Sequence, residues 1–298
     1  MGTSKAVAAP STAGFALFGG GGYDARTAAI QKYDYTTKVV TSAGTLSLAR
    51  GILAGAGNYT VGLFCAGNYG NNLETKAVDK YTYSTNSVAA GTALDANGGG
   101  DTTSGAANQT VAVVTGSYLN SGASHVYTFA SDTTFAGTQM TNSLQYPAAA
   151  GTGTFFISGG SYSGLRNTNK YTYASHTCIN STLLFMAQSV LGAAGNAIKS
   201  VWGGGMPKAT TTCTYTYDSS TVTQGTALGL DRAGVTAAGN AFQGIFSGGN
   251  TSASPNGVTG TTGYTDTYTY DNSTVLAGSA LLIPKQYMGA CSSTPGGF

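Results

Sequence analysis

Charged residues are scarce in this 298-residue chain. They make up 8% of the sequence, glutamate occurs once, at Glu74, and the formal net charge is only +2. Because nucleic acids and anionic membrane surfaces are bound through clustered basic residues, this balance favours neither as a partner. The low charge, together with 41% apolar residues, is also opposite to the composition of a disordered chain.

Cysteine is sparse as well, and long apolar runs are missing. No CxxC pair occurs among the four cysteines, which are Cys65, Cys178, Cys213 and Cys291. Their dispersal predicts free thiols rather than a disulfide-stapled secreted fold. No run reaches transmembrane length, and the start of the chain lacks the apolar stretch of a signal peptide. We therefore expect no membrane insertion.

Residues for acid–base or metal chemistry are few and scattered. His125 opens an aromatic strand and His176 lies in a turn, and neither has the setting of a catalytic triad. Several aspartates lie in turns or just before aromatic strands, where turn capping is the expected role: Asp79, Asp218, Asp266 and Asp271. Cysteines and histidines fall in different repeats, so a zinc site is not favoured. We predict no enzymatic activity and neither cofactor nor metal.

An aromatic strand that recurs along the whole chain is the dominant positive signal. Its first aromatic residues are Tyr33, Tyr81, Tyr127, Tyr171, Tyr215 and Tyr268, at spacings of 48, 46, 44, 44 and 53 residues. A period of this size indicates a repeat architecture rather than two unrelated domains.

Each repeat contains four strand-like segments, which we name A to D in chain order. Segment A is small and apolar, segment B is bulky and ends near a glycine, segment C carries the Tyr-x-Tyr pair, and segment D precedes a Gly-Thr. In a β-propeller the A strands crowd around the axis, where only small side chains fit, and larger ones fill the space between blades. The two tyrosines of a pair should share one face of the blade, because alternate residues of a strand point the same way.

The two ends of the chain each carry an incomplete repeat. The B segment that begins near Phe15 has no A segment before it, and the A segment from Tyr287 to Cys291 has no B segment after it. Joining them in one blade removes the free sheet edges. We predict an all-β, six-bladed propeller as a single domain over residues 11–298, with residues 1–10 as a lead-in.

Two glycine-rich segments resemble the kelch motif: GGGGYDARTAAIQKYDY from Gly19 to Tyr35 and GGSYSGLRNTNKYTY from Gly159 to Tyr173. The kelch tryptophan of strand D is absent, and Trp202, the one tryptophan, lies on a B segment. This degenerate, Gly/Thr/Tyr-rich form is similar to kelch-like propellers of bacteriophage tail and fibre proteins.

The resemblance implies a virion component, assembled in the host cytoplasm, that serves structural attachment or host-receptor binding. Its partners would be other virion proteins, with a host-surface glycan or protein and a homo-oligomeric arrangement left open. A cellular kelch-like module that binds a protein or a glycan is the alternative.

Candidate contact residues come from the B–C and D–A loops, which emerge on one face of a four-stranded up-and-down blade. The B–C loops contribute Tyr23, Tyr69, Tyr118 and Tyr162. Polar or basic residues that precede the A strands are Arg50, Gln188, Arg232 and Lys285. Tyr and Arg dominate binding hot spots, and aromatic faces suit neutral sugars. The alternative is that each tyrosine packs on its own loop and each arginine caps neighbouring carbonyls.

Overall fold

The protein is a six-bladed β-propeller. The computed structural model describes residues 13–70, 73–95, 100, 104–116, 122–161, 165–252 and 259–296. Within these ranges the chain forms six four-stranded antiparallel sheets and no helix. The lead-in at 1–10 lies outside the described residues.

Every blade uses the predicted strand order A, B, C, D from the axis outward. The A strands are β4 (Ala54–Gly57), β10 (Ser104–Ala107), β14 (Ala148–Gly151), β18 (Gly192–Gly195), β22 (Thr236–Gly239) and β26 (Gly289–Ser292). The B strands are β1 (Phe15–Gly19), β5 (Val61–Cys65), β11 (Val111–Thr115), β15 (Phe155–Gly159), β19 (Lys199–Gly203) and β23 (Gln243–Ser247). The C strands are β2 (Ala29–Asp34), β8 (Val78–Thr82), β12 (Ser124–Thr128), β16 (Thr168–Thr172), β20 (Thr212–Thr216) and β24 (Thr265–Thr269). The D strands are β3 (Val40–Thr45), β9 (Ser87–Gly91), β13 (Thr133–Ala136), β17 (Thr177–Ser181), β21 (Thr221–Gly225) and β25 (Thr274–Gly278). A short hairpin, β6 (Asn68–Gly70) and β7 (Leu73–Glu74), extends the B–C loop of blade two.

Blade one closes the ring as predicted from the two incomplete repeats. Its strand order is β26-β1-β2-β3, so the last strand of the chain is the inner strand of the first blade. Strand β26 pairs antiparallel with β1, with Leu17 opposite Cys291. This pairing leaves no blade without an inner strand among the described sheets.

Small residues on the A strands allow adjacent blades to touch at the axis. A Cβ atom added at Gly55 of blade two would lie 2.1 Å from the carbonyl oxygen of Ala290 in blade one. A Cβ at Gly192 of blade five would lie 3.2 Å from the Cβ of Ala237 in blade six. The predicted size gradient is therefore confirmed, and its cause is the close approach of neighbouring A strands.

The first tyrosine of each C strand fastens its blade to the preceding one. These tyrosines are at most 1% exposed. A Cβ at Gly278 would lie 2.9 Å from the Tyr33 hydroxyl, and a Cβ at Gly137 would lie 3.2 Å from the Tyr171 hydroxyl. In blade four a serine replaces this glycine, and the Ser181 and Tyr215 hydroxyls lie 2.7 Å apart. The glycine that ends strand D thus makes room for the tyrosine of the next blade.

Asparagines in the A–B turns join neighbouring blades at the end of the propeller opposite the B–C and D–A loops. The Asn58 side-chain oxygen accepts bonds from the Thr60 and Val61 amides at 2.8 and 2.9 Å. Its amide nitrogen donates to the carbonyl of Gln109 in the next blade at 3.2 Å. Asn108 and Asn196 make the same inter-blade bond, again at 3.2 Å. Asparagine suits this position because it can fold its own turn and still donate outward.

Candidate functional site

The B–C and D–A loops lie together on one face, which we call the upper face. Isolated antiparallel bridges join the two loop types, pairing Gly51 with Asn68 and Ser189 with Met206. The A–B and C–D turns form the lower face. The upper face carries those sequence-predicted contact residues that the structure describes.

The two arginines among those residues are buried, so they are not available as surface contact residues. Arg50 and Arg232 are 0% exposed. Arg50 Nη1 lies 2.8 Å from Asp79 Oδ2, and its Nη2 donates to the carbonyl of Phe64 at 3.0 Å. Arg232 pairs with Asp266 at 2.9 Å and donates to the Phe246 carbonyl. These arginines cap carbonyls, as the alternative interpretation had it, and they also pair with buried carboxylates, which the sequence analysis did not predict.

Asp79 and Asp266, the partners of these arginines, occupy a strand-C position whose side chain has the same role in all six blades. Two residues before the first tyrosine of strand C stand Gln31, Asp79, His125, Asn169, Cys213 and Asp266. Asp79 and Asp266 lie inside the aromatic strands rather than just before them, and their partners are buried arginines, which corrects the expected role of turn capping for these two. The side chain at this position contacts the preceding D–A loop: Asn169 accepts from the Asn142 amide at 2.8 Å, and His125 Nδ1 lies 2.5 Å from Asp95. His125 therefore occupies a structural position of the repeat.

The other two polar candidates also bond within the upper face. Gln188 is buried and donates to the Pro207 carbonyl at 3.1 Å. Lys285 is half-buried, donates to the Ala25 carbonyl at 2.7 Å, and has its pKa lowered by burial. Both side chains tie a D–A loop to a B–C loop.

The four candidate tyrosines are not equivalent. Tyr118 and Tyr162 lie outside the described residues. Tyr69 is 40% exposed on the β6–β7 hairpin. Tyr23 is half-buried beside the axis, with its ring centroid 6.3 Å from that of Tyr287.

A ring of residues with positive φ surrounds the axis, and the sequence analysis missed it. We call it the axial mouth: Ile52 (φ 53°), Tyr146 (φ 55°), Val190 (φ 58°), Gly234 (φ 71°) and Tyr287 (φ 56°). Each lies just before an A strand. Successive members are joined by backbone bonds, such as the Ile52 amide to the Tyr287 carbonyl at 2.8 Å and the Gly234 amide to the Val190 carbonyl at 2.9 Å.

The side chains of the axial mouth are retained at an energetic cost. Left-handed backbone is uncommon outside glycine and is a genuine outlier for β-branched residues such as Ile52 and Val190. Such conformations cost on the order of 1–3 kcal/mol each and cluster at functional sites. Gly234 shows that glycine, which avoids this strain, is compatible with the same backbone. The bulky residues must therefore contribute something that glycine does not.

Their side chains converge on an apolar cluster above a cavity. Ile52, Val190 and Tyr287 are buried against one another, with Tyr146, Tyr23 and Met206 packed around them. The Tyr146 and Tyr287 ring centroids are 6.4 Å apart. Below lies a cavity of about 110 Å³ that runs along the axis between the A strands. None of its described lining residues is charged.

A second exposed surface lies at the outer edge of blade four. Leu165, Leu183 and Phe185 are 43%, 49% and 47% exposed. Leu165 and Phe185 are neighbours, because the Leu184 amide donates to the Arg166 carbonyl at 2.8 Å. Contiguous exposed apolar side chains of this kind mark interaction sites.

Comparisons with known proteins support the fold alone. No family model matches the chain, and no curated protein matches it. Among solved structures, that of YjhT is similar, with a TM-score of 0.68 and 11% identity over 92% of this chain and 99% of that chain. Within the described residues no helix is long and apolar enough to span a membrane, and no group of three or more His, Cys, Asp or Glu side chains is placed to hold a metal ion.

Proposed function

We propose that this chain is a non-enzymatic component of a bacteriophage particle surface that binds a neighbouring virion protein or a host receptor through its upper face. The kelch-like but degenerate Gly/Thr/Tyr-rich repeat supports the bacteriophage assignment. The closed propeller supports a binding role, because it holds loops from six blades rigidly on one surface.

The axial mouth is the observation that carries the proposal. If the axial mouth served only to close the propeller, glycine could stand at each of its positions without backbone strain, as it does at Gly234. Instead, partly exposed aromatic residues, Tyr23 and Tyr146, flank buried Ile52 and Val190 at the centre of the face. Binding hot spots are aromatic-rich and lie near the centre of an interface.

The apolar edge of blade four supports a separate role in attachment to the particle. Leu183 and Phe185 occupy loop positions where blade one has Thr45 and Ser47. The apolar side chains are therefore not a requirement of the repeat, and among the described loops blade six also exposes a leucine, Leu282, at the position of Phe185. These residues belong to upper-face loops but lie outside the axial mouth, so a contact there would leave the mouth free for a receptor.

A cellular kelch-like module that binds a protein or a glycan is the second candidate. It would use the same upper face, since the axial mouth does not depend on the source of the partner. The two candidates differ in where the chain is found. Mass spectrometry of particles purified from lysates of cells that carry the gene should detect the chain at fixed stoichiometry if it is a virion component.

The test of the contact face is an attachment assay with particles that carry single substitutions. Tyr146→Ala should reduce attachment to host cells or to the neighbouring virion protein at least tenfold. Tyr59→Ala serves as the matched control, because Tyr59 is a 48% exposed tyrosine of the lower face. Equal attachment by the two variants, with both folded, would show that the contact face is elsewhere. Chain recovered only from the soluble host fraction would refute the virion assignment.

A further inference from the structure

The axial cavity below the mouth has the walls of a small-ligand site. We infer that it binds one uncharged sugar ring, the terminal unit of a glycan, which stacks on Tyr146 or Tyr287 and turns its hydroxyls toward the A strands. This inference rests on the proposed function, because it names the ligand class of the same site.

The aromatic rim fits a ring-shaped ligand with one apolar face. Tyr146 is partly buried, and its ring centroid lies 6.4 Å from that of Tyr287 with the two planes inclined by 41°. The inclined rings therefore flank the opening of the cavity on one side. A tyrosine presents an apolar body and a polar tip, which matches the alternation of C–H face and hydroxyl edge in a pyranose.

The walls below the rim are uncharged but not purely apolar. Strand A is the edge strand in all six described sheets, so one side of its backbone faces the axis. Ser104 and Thr236 also line the cavity, but their hydroxyls already bond to Thr115 and to the Met288 carbonyl, so the remaining polar groups of the wall are backbone amides and carbonyls. Amide and carbonyl groups of this kind need polar partners, and an inserted leucine or phenylalanine side chain would supply none. Sugar hydroxyls would supply such partners.

The absence of charge in the described lining excludes an anionic ligand. A carboxylate or phosphate in the cavity would lose its hydration without gaining a cation, which is unfavourable. The basic residues just before the mouth are already bonded: Arg50 and Arg232 to Asp79 and Asp266, and Lys285 to the Ala25 carbonyl. The ligand class is therefore neutral.

The volume limits the ligand to one ring. A water molecule needs ~10–15 Å³ of such a cavity. The space of about 110 Å³ therefore holds on the order of eight waters. That room suits a single monosaccharide and is too small for a peptide helix or for several sugar units.

The experiment is saturation-transfer NMR of the full chain with methyl glucoside, methyl galactoside, methyl mannoside and N-acetylglucosamine, each at millimolar concentration. Methyl glucuronide is the charged comparison. At least one neutral sugar should bind, and Tyr146→Ala should weaken it at least tenfold. Tyr146→Phe, which keeps the ring, should retain binding, and Tyr59→Ala should not change it. Melting curves establish that each variant is folded.

Three outcomes would overturn the inference: none of the four neutral sugars binds, methyl glucuronide binds as tightly as they do, or binding survives in folded Tyr146→Ala. The proposed function is tested separately by attachment. If Tyr146→Ala abolishes attachment while no sugar binds, the function stands and the ligand class is a protein. If sugar binding depends on Tyr146 but attachment does not, the inference stands and the proposed contact face falls.

Discussion

Removing one partner of the buried Arg50–Asp79 pair should be among the most damaging single changes in the molecule. Both side chains are at most 1% exposed, their closest atoms are 2.8 Å apart, and Asp79 also accepts bonds from the Ser47 amide and hydroxyl. Arg50→Leu leaves that carboxylate buried without its cation. Loss of one partner of such a pair costs about 3–5 kcal/mol. At ~2 °C per kcal/mol for a domain of this size, the melting temperature should fall by about 6–10 °C.

A double variant and an exposed pair complete the test. Arg50→Leu combined with Asp79→Leu removes both charges, so most of the lost stability should return, because paired apolar replacements are often neutral. The Lys80 and Asp132 side chains of the exposed pair are 27% and 36% exposed. Lys80→Ala breaks this pair and should lower the free energy of unfolding by less than about 1 kcal/mol. The assay is thermal and urea unfolding followed by circular dichroism. Equal small losses for Arg50→Leu and Lys80→Ala would refute the assignment of Arg50 as a buried structural cation.

Three further predictions follow from burial and strand pairing. Burial would raise the Asp132 pKa, but hydrogen bonds, first among them that from Lys80, lower it to about 2. The stabilisation by the ionised Asp132 carboxylate should therefore be present above its ordinary pKa, near 4, and disappear as the pH falls toward 2. Carboxyl NMR should show a higher Asp132 pKa in Lys80→Met. Burial raises the thiol pKa of Cys65 and Cys291 to about 12, so native protein should not be alkylated there by iodoacetamide at pH 8; rapid labelling, or a disulfide found by mass spectrometry, would contradict this. Deleting residues 286–298 removes the inner strand of blade one and should abolish soluble folding; a truncated chain with unchanged melting would disprove closure by the two ends.

The fold could be predicted because it depends on residue size and spacing. The Tyr-x-Tyr strands and the alanine- and glycine-rich A strands repeat at intervals that are visible along the chain. Each signal is local: a small residue is needed wherever an A strand meets its neighbour, as at Gly55. The unmatched strand at Tyr287–Cys291 then determines how the ring closes.

The candidate site could be predicted only in part, because its features depend on partners distant in sequence. Arg50 resembles a surface loop residue until strand C places Asp79 beside it. The axial mouth is defined by backbone angles, and Ile52 and Val190 carry no sequence mark of a left-handed conformation. Only an alignment of the positions just before each A strand, with Gly234 among them, could have suggested that a turn is shared there. Tyr23 was identified from the sequence as an upper-face residue, and the structure places it beside Tyr287.

Hydrogen–deuterium exchange of the isolated chain, compared with the chain bound to its particle or receptor, tests the contact face most directly. Binding through the axial mouth predicts slower exchange in peptides that cover residues 22–26, 48–53, 144–148 and 188–192. Peptides over the A–B turns at 57–61, 107–111 and 195–199 should not change. Protection confined to those turns, with unchanged exchange around Tyr146 and Val190, would contradict the central claim.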